Sequence, residues 1–218
     1  MTSLLILDCD GVLVDSERIT HQVFADMLNE LGLAVTLEYL LEHFIGLSMP
    51  QCLARVAEML GHPPPPDFVE HYRLRSQLAL QAGVRPVEGV VEALDQIEVT
   101  QCVASNGSYG RMRTTLGLAG LLLRFERSLF SGCDIAQPKP APDLYLQVAR
   151  QFGVAPQDCI VVEGTPSGVM AGQAAGMTVL GYAGLIPAHR LQAAGAHQVL
   201  HHMQALPSLV AALKAQAA

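Results

Sequence analysis

The chain has 218 residues, of which 50% are apolar and only 15% are charged, and its formal net charge is −7. This composition predicts a globular protein with one sizeable domain, or a core domain with a small inserted one, and excludes a disordered chain. The negative charge argues against nucleic acid or an anionic membrane as the main partner, because both are bound by clustered Lys and Arg.

The sequence carries no feature of a secreted or membrane protein. It has no uninterrupted apolar run of about 18 residues, and its first residues lack the basic flank of a signal peptide. The five cysteines are odd in number and include no C-x-x-C pair, which favours buried thiols in a reducing compartment. We therefore expect a cytoplasmic protein, either a monomer or a weak dimer.

The first predicted element is a strand at Leu4–Leu7, a short apolar run without alternation that is followed at once by Asp-x-Asp-Gly. Such a run is typical of a strand buried on both faces. Apolar residues at helical spacing then dominate up to about residue 85. The predicted helical stretches are 16–32, 36–46, 48–61 and 67–83.

The remainder of the chain alternates short apolar runs with helical segments. This alternation predicts βαβ units with right-handed crossovers. We therefore predict an α/β fold, a doubly wound parallel sheet that forms a core domain from residues 1–15 and 86–218, with a small α-helical cap inserted at 16–85. The predicted strands are 101–105, 159–163, 178–181 and 197–200, and the predicted helices are 141–153 and 165–176.

Charged and hydroxyl side chains follow these strands at the carboxyl ends, where a parallel sheet binds its ligands. Two carboxylates come directly after the first strand, although an unpaired charge at a buried strand end is costly. The side chains that should converge are Asp8, Asp10, Ser105, Asn106, Lys139 and Glu163.

This set of side chains suits phosphoryl transfer. Asp8 can attack phosphorus and form an aspartyl phosphate, while Asp10 can protonate the leaving alcohol and later accept a proton from water. Lys139 and the Ser105 hydroxyl can stabilise the charge that builds on the phosphoryl oxygens. Carboxylate oxygens of Asp8 and Glu163 would hold Mg²⁺, which also keeps water ligands and shares the substrate phosphate.

Four segments together resemble the ordered motifs of the haloacid dehalogenase superfamily, in particular phosphatases related to β-phosphoglucomutase that carry a helical cap. The segments are "DCDGVLVDSE", "VASNGS", "PKPAPDLY" and "VVEGTPSGVMAGQAAGM". "CVASNGS" and "LFSGCDI" also resemble bacterial sugar-phosphate phosphatases such as the 6-phosphogluconate phosphatases. The resemblance extends over nearly the whole chain.

The resemblance implies a role for each matching residue. Asp8 is implied to be the nucleophile and a metal ligand, and Asp10 the general acid and base, with its carbonyl as a further ligand. Ser105, Asn106 and Lys139 are implied to bind the substrate. Glu163 is implied to be the remaining metal ligand, and Mg²⁺ is the implied cofactor.

The sequence departs from the family pattern at two places. Gly164 stands where relatives carry an acidic residue, which leaves open a weakened metal site and a binding protein without efficient catalysis. Thr20 and Met49 stand where β-phosphoglucomutase carries a histidine and an arginine, and His21 is one position away from the first of these. The absence of these two residues counts against a phosphomutase, which stays an alternative. The leading interpretation is an Mg²⁺-dependent hydrolase of a small phosphorylated metabolite.

Two further groups of polar residues have an ordinary structural interpretation. Arg111 and Arg113 could steer an anion, but a place on the surface of a helix is the simpler expectation for both. Adjacent histidines such as His201 and His202 do not share a face of a helix, so we do not expect them to form a metal site.

Overall fold

A computed structural model of the chain describes residues 4–45, 47 and 49–216. The chain divides into two compact units: Met1–Asp15 together with Arg85–Ala218 form one, and Ser16–Val84 forms the other. The first unit is of the α/β type, and the second is helical.

The helical unit is built around a cluster of aromatic rings. The ring centroid of Phe24 lies 5.8 Å from that of Phe44 and 5.6 Å from that of Phe68, and all three side chains are buried. Gly46 and Ser48, where we predicted one helix to end and the next to begin, lie outside the described residues. The helices in the described part of this unit are α1 (Ser16–Glu30), α2 (Leu37–His43), α3 (Met49–Leu60) and α4 (Phe68–Gly83).

The α/β unit contains one sheet, in which each adjacent pair of strands is parallel. Its strands in the described residues are β1 (Leu4–Leu7), β2 (Thr100–Ser105), β3 (Leu129–Ser131), β4 (Cys159–Glu163), β5 (Thr178–Tyr182) and β6 (Gln198–Leu200). Their order is β3-β2-β1-β4-β5-β6. The predicted doubly wound α/β fold is confirmed.

Because β1 lies at the centre of the sheet, each of its residues from Leu4 to Leu7 is fully buried, which explains the unbroken apolar run. The three-residue strand β3 was not predicted from the sequence.

Helices accompany the strands in the α/β unit. Thr165 caps α9, since its hydroxyl accepts a hydrogen bond from the Gly168 N–H at 3.1 Å. The helices are α5 (Val90–Asp95), α6 (Tyr109–Leu118), α7 (Leu122–Phe125), α8 (Asp143–Phe152), α9 (Pro166–Ala174), α10 (Ala188–Ala193) and α11 (Leu206–Gln216).

The backbone segments that lead to and from the helical unit are hydrogen-bonded to each other. The N–H of Asp15 donates to the carbonyl of Arg85 at 2.9 Å, and the N–H of Val87 donates to the carbonyl of Leu13 at 3.0 Å. Together with the bridge between Val14 and Pro86, these bonds form a short ladder within the α/β unit.

Two expectations about the chemistry of the chain can be compared with the structure. The cysteines are free thiols, and Cys9, Cys52, Cys102 and Cys159 are buried as expected, whereas Cys133 is exposed. Across the described residues, none of the helices combines the length and apolar character needed to cross a bilayer.

Candidate active site

The candidate site lies at the carboxyl end of the sheet, where the strand order reverses between β1 and β4. Ligands of doubly wound sheets bind at such switch points. Asp8 follows β1 directly, and its N–H donates to the carbonyl of Val162 in β4 at 3.0 Å. Glu163 is the last residue of β4, so the parallel register brings the two carboxylates to the same edge.

The centre of the site is the buried ammonium group of Lys139. Its Nζ donates to Asp8 Oδ1 at 2.9 Å, to Glu163 Oε1 at 2.5 Å and to the carbonyl of Ala104 at 2.8 Å. These three acceptors use the three N–H bonds of an ammonium group. The Lys139 side chain is only 3% exposed, so the ion pairs are shielded from solvent.

Burial and charge shift the pKa values of this group of residues. Burial, followed by the negative charge of Glu163, raises the pKa of Asp8 to about 7, although Lys139 acts in the opposite direction. Burial alone would lower the pKa of Lys139, but the Asp8 and Glu163 carboxylates together raise it well above its ordinary value. Lys139 therefore carries its positive charge at physiological pH.

Asn106 holds the backbone of Lys139. Its side-chain Nδ2 donates to the Lys139 carbonyl at 3.1 Å, and its Oδ1 accepts from the Lys139 N–H at 3.1 Å. The predicted substrate-binding amide is thus engaged by the chain itself. This double hydrogen bond ties the loop after β2 to the loop that carries Lys139.

Ser105 lies at the end of β2, buried beside the same loop. Its Oγ accepts a hydrogen bond from the Gly107 N–H at 3.1 Å, so the hydroxyl hydrogen can be donated elsewhere. The Ser131 hydroxyl donates to the Gly107 carbonyl at 2.8 Å. The unpredicted strand β3 therefore supports the loop that presents Ser105.

Asp10 is bound by Arg111 from α6. The guanidinium Nε donates to Asp10 Oδ2 at 3.2 Å, and Nη2 donates to Oδ1 at 3.0 Å. This two-bond geometry is the strong form of an Arg–carboxylate pair. Arg111 is thus not simply a residue of an exposed helix surface.

Glu163 accepts hydrogen bonds at both of its oxygens and is fully buried. In addition to Lys139, the Tyr145 hydroxyl donates to Oε1 at 2.8 Å. The backbone N–H and the hydroxyl of Thr165 donate to Oε2 at 3.2 and 3.0 Å. Direct coordination of a metal by Glu163 would require one of these bonds to break.

The donor set fits Mg²⁺, which prefers oxygen ligands. Among the described residues, no group of three or more His, Cys, Asp and Glu is arranged to hold a metal ion. Mg²⁺ needs only one or two carboxylates together with other oxygens from the protein, water and phosphate, and the Asp8 carboxylate and the Asp10 backbone carbonyl would supply such oxygens. The local charge also suits a cation, because the three carboxylates of Asp8, Asp10 and Glu163 are paired with two cations, Lys139 and Arg111.

The structure brings the predicted residues together in linked groups. Asp8, Lys139 and Glu163 are in direct contact, and Asn106 is attached to Lys139. Ser105 and Asp10 both lie near Gly107, where an added Cβ would lie 3.4 Å from Ser105 Oγ and 3.8 Å from Asp10 Oδ2.

Sequence reasoning missed Tyr145 and the pairing of Arg111. A cation in the first turn of α6 opposes the helix dipole, and this unfavourable placement was the available signal for Arg111. The signal for Tyr145 was weaker. A tyrosine on the buried face of α8 needs a partner for its hydroxyl, but the sequence does not say which one.

A doubly wound sheet with two aspartates and a buried lysine at its switch point defines an α/β enzyme with an acidic centre. Residues 5–182 match the family model described as haloacid dehalogenase-like hydrolase. The 6-phosphogluconate phosphatase of Escherichia coli is 32% identical over 176 residues, which cover 80% of this chain and 80% of that protein.

Solved structures agree with this match. A haloacid dehalogenase-like protein of unknown function from Agrobacterium tumefaciens has a TM-score of 0.93 and 35% identity, over 98% of this chain and 100% of that chain. A hydrolase of the same family from Deinococcus radiodurans, solved with bound phosphate and sodium, has a TM-score of 0.85 and 32% identity, over 97% of this chain and 96% of that chain.

The chain therefore belongs to the haloacid dehalogenase-like hydrolases, as its motifs predicted. Within that family its enzyme class is that of the phosphatases, which hydrolyse phosphoric monoesters.

Substitution of Gly168 tests how closely α9 packs against Glu163. A Cβ at Gly168 would lie 1.9 Å from the Glu163 carboxyl carbon, so we expect Gly168→Ala to displace the carboxylate. The free energy of unfolding should fall by at least about 2 kcal/mol, as for overpacked buried sites. Chemical denaturation measures this change.

Gly110→Ala in α6 is the matched control, since nothing lies within 4 Å of its added Cβ. This variant should be as stable as the wild type or up to about 1 kcal/mol more stable, because Ala is the better helix former. Equal effects of the two substitutions would contradict the close packing at Glu163.

The raised pKa of Asp8 predicts a pH dependence of stability in the absence of divalent cations. Folded Asp8 holds its proton up to pH of about 7, whereas an unfolded aspartate releases it near pH 4, so this contribution to stability is lost as the pH rises between these values. The loss amounts to at most about 4 kcal/mol, since one pKa unit corresponds to about 1.4 kcal/mol.

Asp8→Asn removes this titrating group. Denaturation in the presence of a chelator, at a series of pH values from 4 to 8, should therefore show a smaller decrease in stability for the variant than for the wild type. Parallel pH profiles of the two proteins would refute the assignment.

Proposed function

We propose that the protein is an Mg²⁺-dependent phosphomonoester hydrolase that acts on a sugar phosphate or a sugar-acid phosphate through an aspartyl phosphate on Asp8. The observation that carries this proposal is the Asp8 carboxylate held by the Lys139 ammonium at the switch point of the sheet. The Escherichia coli relative supports the substrate class, because its name specifies a phosphorylated sugar acid.

In the first step, an Asp8 oxygen attacks phosphorus, and the bond from phosphorus to the ester oxygen breaks. Lys139 occupies Oδ1 of Asp8, so we assign the attack to Oδ2. Asp10 donates a proton to the leaving alcohol oxygen, which makes the alcohol a better leaving group. The products of this step are the free alcohol and a phosphoryl group bound to Asp8.

In the second step, Asp10 accepts a proton from a water molecule that attacks the same phosphorus, and the bond from phosphorus to Asp8 breaks. In the structure both Asp10 oxygens accept hydrogen bonds from Arg111. In the first step Asp10 acts as a donor, so one of the two bonds to Arg111 must open during the cycle.

Negative charge on the phosphoryl oxygens would be stabilised by Lys139 and by the Ser105 hydroxyl. Both groups are buried, and hydrogen bonds to charged oxygens are stronger where water is excluded. Asp8 and Asp10 would hold the Mg²⁺ ion, with water and the substrate phosphate completing its ligands. When bound, this ion supplies Lewis acid chemistry and offsets the carboxylate charge.

We further propose that the helical unit, at residues 16–84, serves as the cap that selects the leaving group. The support is its insertion into the chain directly after the loop that carries Asp10.

His21 Nδ1 contacts the Glu17 carbonyl of its own helix at 2.8 Å, and burial lowers the pKa of this imidazole. The described residues thus add no support for a phosphomutase. A cytoplasmic location and a monomeric or weakly dimeric state remain predictions.

Phosphate release from a panel of sugar phosphates and phosphorylated sugar acids tests the proposal. Turnover should depend on Mg²⁺ and should fall at least about 10³-fold in Asp8→Asn, because the nucleophile is lost. Release of free phosphate also separates hydrolysis from a mutase, which would return an isomeric sugar phosphate instead. Absence of Mg²⁺-dependent turnover across the panel would refute the proposed reaction.

Gly164→Asp tests what the missing carboxylate does to the metal site. An added Cβ would lie 3.3 Å from Val12 Cγ2 and 3.5 Å from the Gly11 carbonyl, so a Cβ is accommodated after a small adjustment. We expect Mn²⁺, used as a probe in calorimetry, to bind about tenfold more tightly, since another carboxylate joins the site.

Gly164→Ala is the matched control, because it adds the same crowding without the charge. Its Mn²⁺ affinity should equal that of the wild type. Equal affinities in all three proteins would show that position 164 does not face the metal. Turnover that appears only in Gly164→Asp would instead favour the binding protein without efficient catalysis.

A further inference from the structure

Tyr145 contacts both partners of the buried ion pair at Glu163. It is fully buried in the first turn of α8, and its hydroxyl donates to Glu163 Oε1 at 2.8 Å. The Lys139 Nζ lies over its ring, 4.9 Å from the centroid. A cation in this position is attracted by the negative face of the ring. One side chain thus contacts the lysine directly and also through its carboxylate partner.

Four donor groups in the described residues make hydrogen bonds to the Glu163 carboxylate. Oε1 accepts from Lys139 and Tyr145, and Oε2 accepts twice from Thr165. An ionised carboxylate offers about four lone-pair sites, so these donors fill it. Gly168 closes the remaining side, because even a Cβ there would overlap with the carboxyl group. In the arrangement that the described residues show, Glu163 therefore acts on the reaction through the residues that it binds.

Tyr145 and Lys139 share the same oxygen of Glu163. A carboxylate oxygen that already accepts a hydrogen bond attracts a second donor less strongly, so the Tyr145 hydroxyl reduces the pull of Glu163 on the ammonium group. Lys139 also donates to Asp8 at 2.9 Å, a longer distance than the 2.5 Å to Glu163. The balance between these two carboxylates decides where the ammonium charge lies relative to the attacking group.

We propose that Tyr145 is a positioning residue, which works with Glu163 to hold the Lys139 ammonium against Asp8. This inference rests on the proposed function, because its effect on rate is exerted at the phosphoryl group that Asp8 attacks. It assigns to Glu163 the role of a fixed counter-charge for Lys139. A small displacement of a charge placed for the transition state lowers the rate of such reactions strongly.

Tyr145→Phe keeps the ring and removes only the hydroxyl. We expect kcat to fall about tenfold with KM changed by less than about threefold, because charge on the phosphoryl oxygens is greatest in the transition state. Tyr182→Phe, in β5, is the control for the loss of a tyrosine hydroxyl from the same α/β unit, and its kinetics should match the wild type.

The decisive measurement is the same substitution in the Glu163→Gln background. If Tyr145 acts through Glu163, removal of its hydroxyl should have less than about a twofold effect there, whereas a purely structural contribution would be the same in both backgrounds. Lys139→Met provides a second background in case Glu163→Gln does not fold. A tenfold effect in both backgrounds, or no effect in the wild type, would overturn the inference.

Binding of inorganic phosphate, measured by calorimetry in the same proteins, gives a readout that does not depend on turnover. The Tyr145→Phe variant should bind phosphate several-fold more weakly than the wild type, and this difference should vanish in the Glu163→Gln background. If the affinities for phosphate follow this pattern but the wild-type protein has no turnover, the proposed hydrolysis is refuted and the positioning role is supported. Identical affinities of Tyr145→Phe and wild type would refute the positioning role alone.

Discussion

The ammonium group of Lys139 is the interaction on which the rest of this site depends. A charged amine with 3% exposure is stable only if its lost hydration is replaced, and here two carboxylates and one carbonyl replace it. The carboxylates have the converse requirement, because Asp8 and Glu163 would repel each other without the cation between them. The positions of the three groups are therefore fixed jointly, and the sheet must bring β1, β2 and β4 to one edge to satisfy them.

The surrounding side chains restrict this arrangement further. Asn106 fixes the backbone of Lys139, Thr165 fixes one oxygen of Glu163, and Tyr145 contacts the other. Each of them comes from a different loop or helix, so the geometry at the lysine depends on packing across the α/β unit. Such mutual support is how a buried polar group retains one orientation. Arg111 belongs to a second group, since it acts on Asp10 at the more exposed side of the site.

Much of this could be predicted from the sequence, for physical reasons that differ between residues. Asp8, Ser105 and Glu163 are adjacent to strands that are recognisable as short apolar runs, and parallel strands carry their ends to one edge. The contacts of Tyr145 and Arg111 depend on side-chain directions across long sequence separations, which local patterns do not encode. The backbone contacts of Asn106 were likewise not predictable, because an amide that can bind a ligand can equally well bind the backbone.

The helical unit leaves and rejoins the α/β unit at neighbouring backbone positions, Asp15 and Arg85, which are joined by a hydrogen bond. The ends of the inserted segment are thus held together by the α/β unit itself. Inserts of very different length can be closed at such a point, because the entropy of loop closure grows only slowly with length. Evolution can therefore exchange this insert for another while the sheet and its buried ion pairs keep their register.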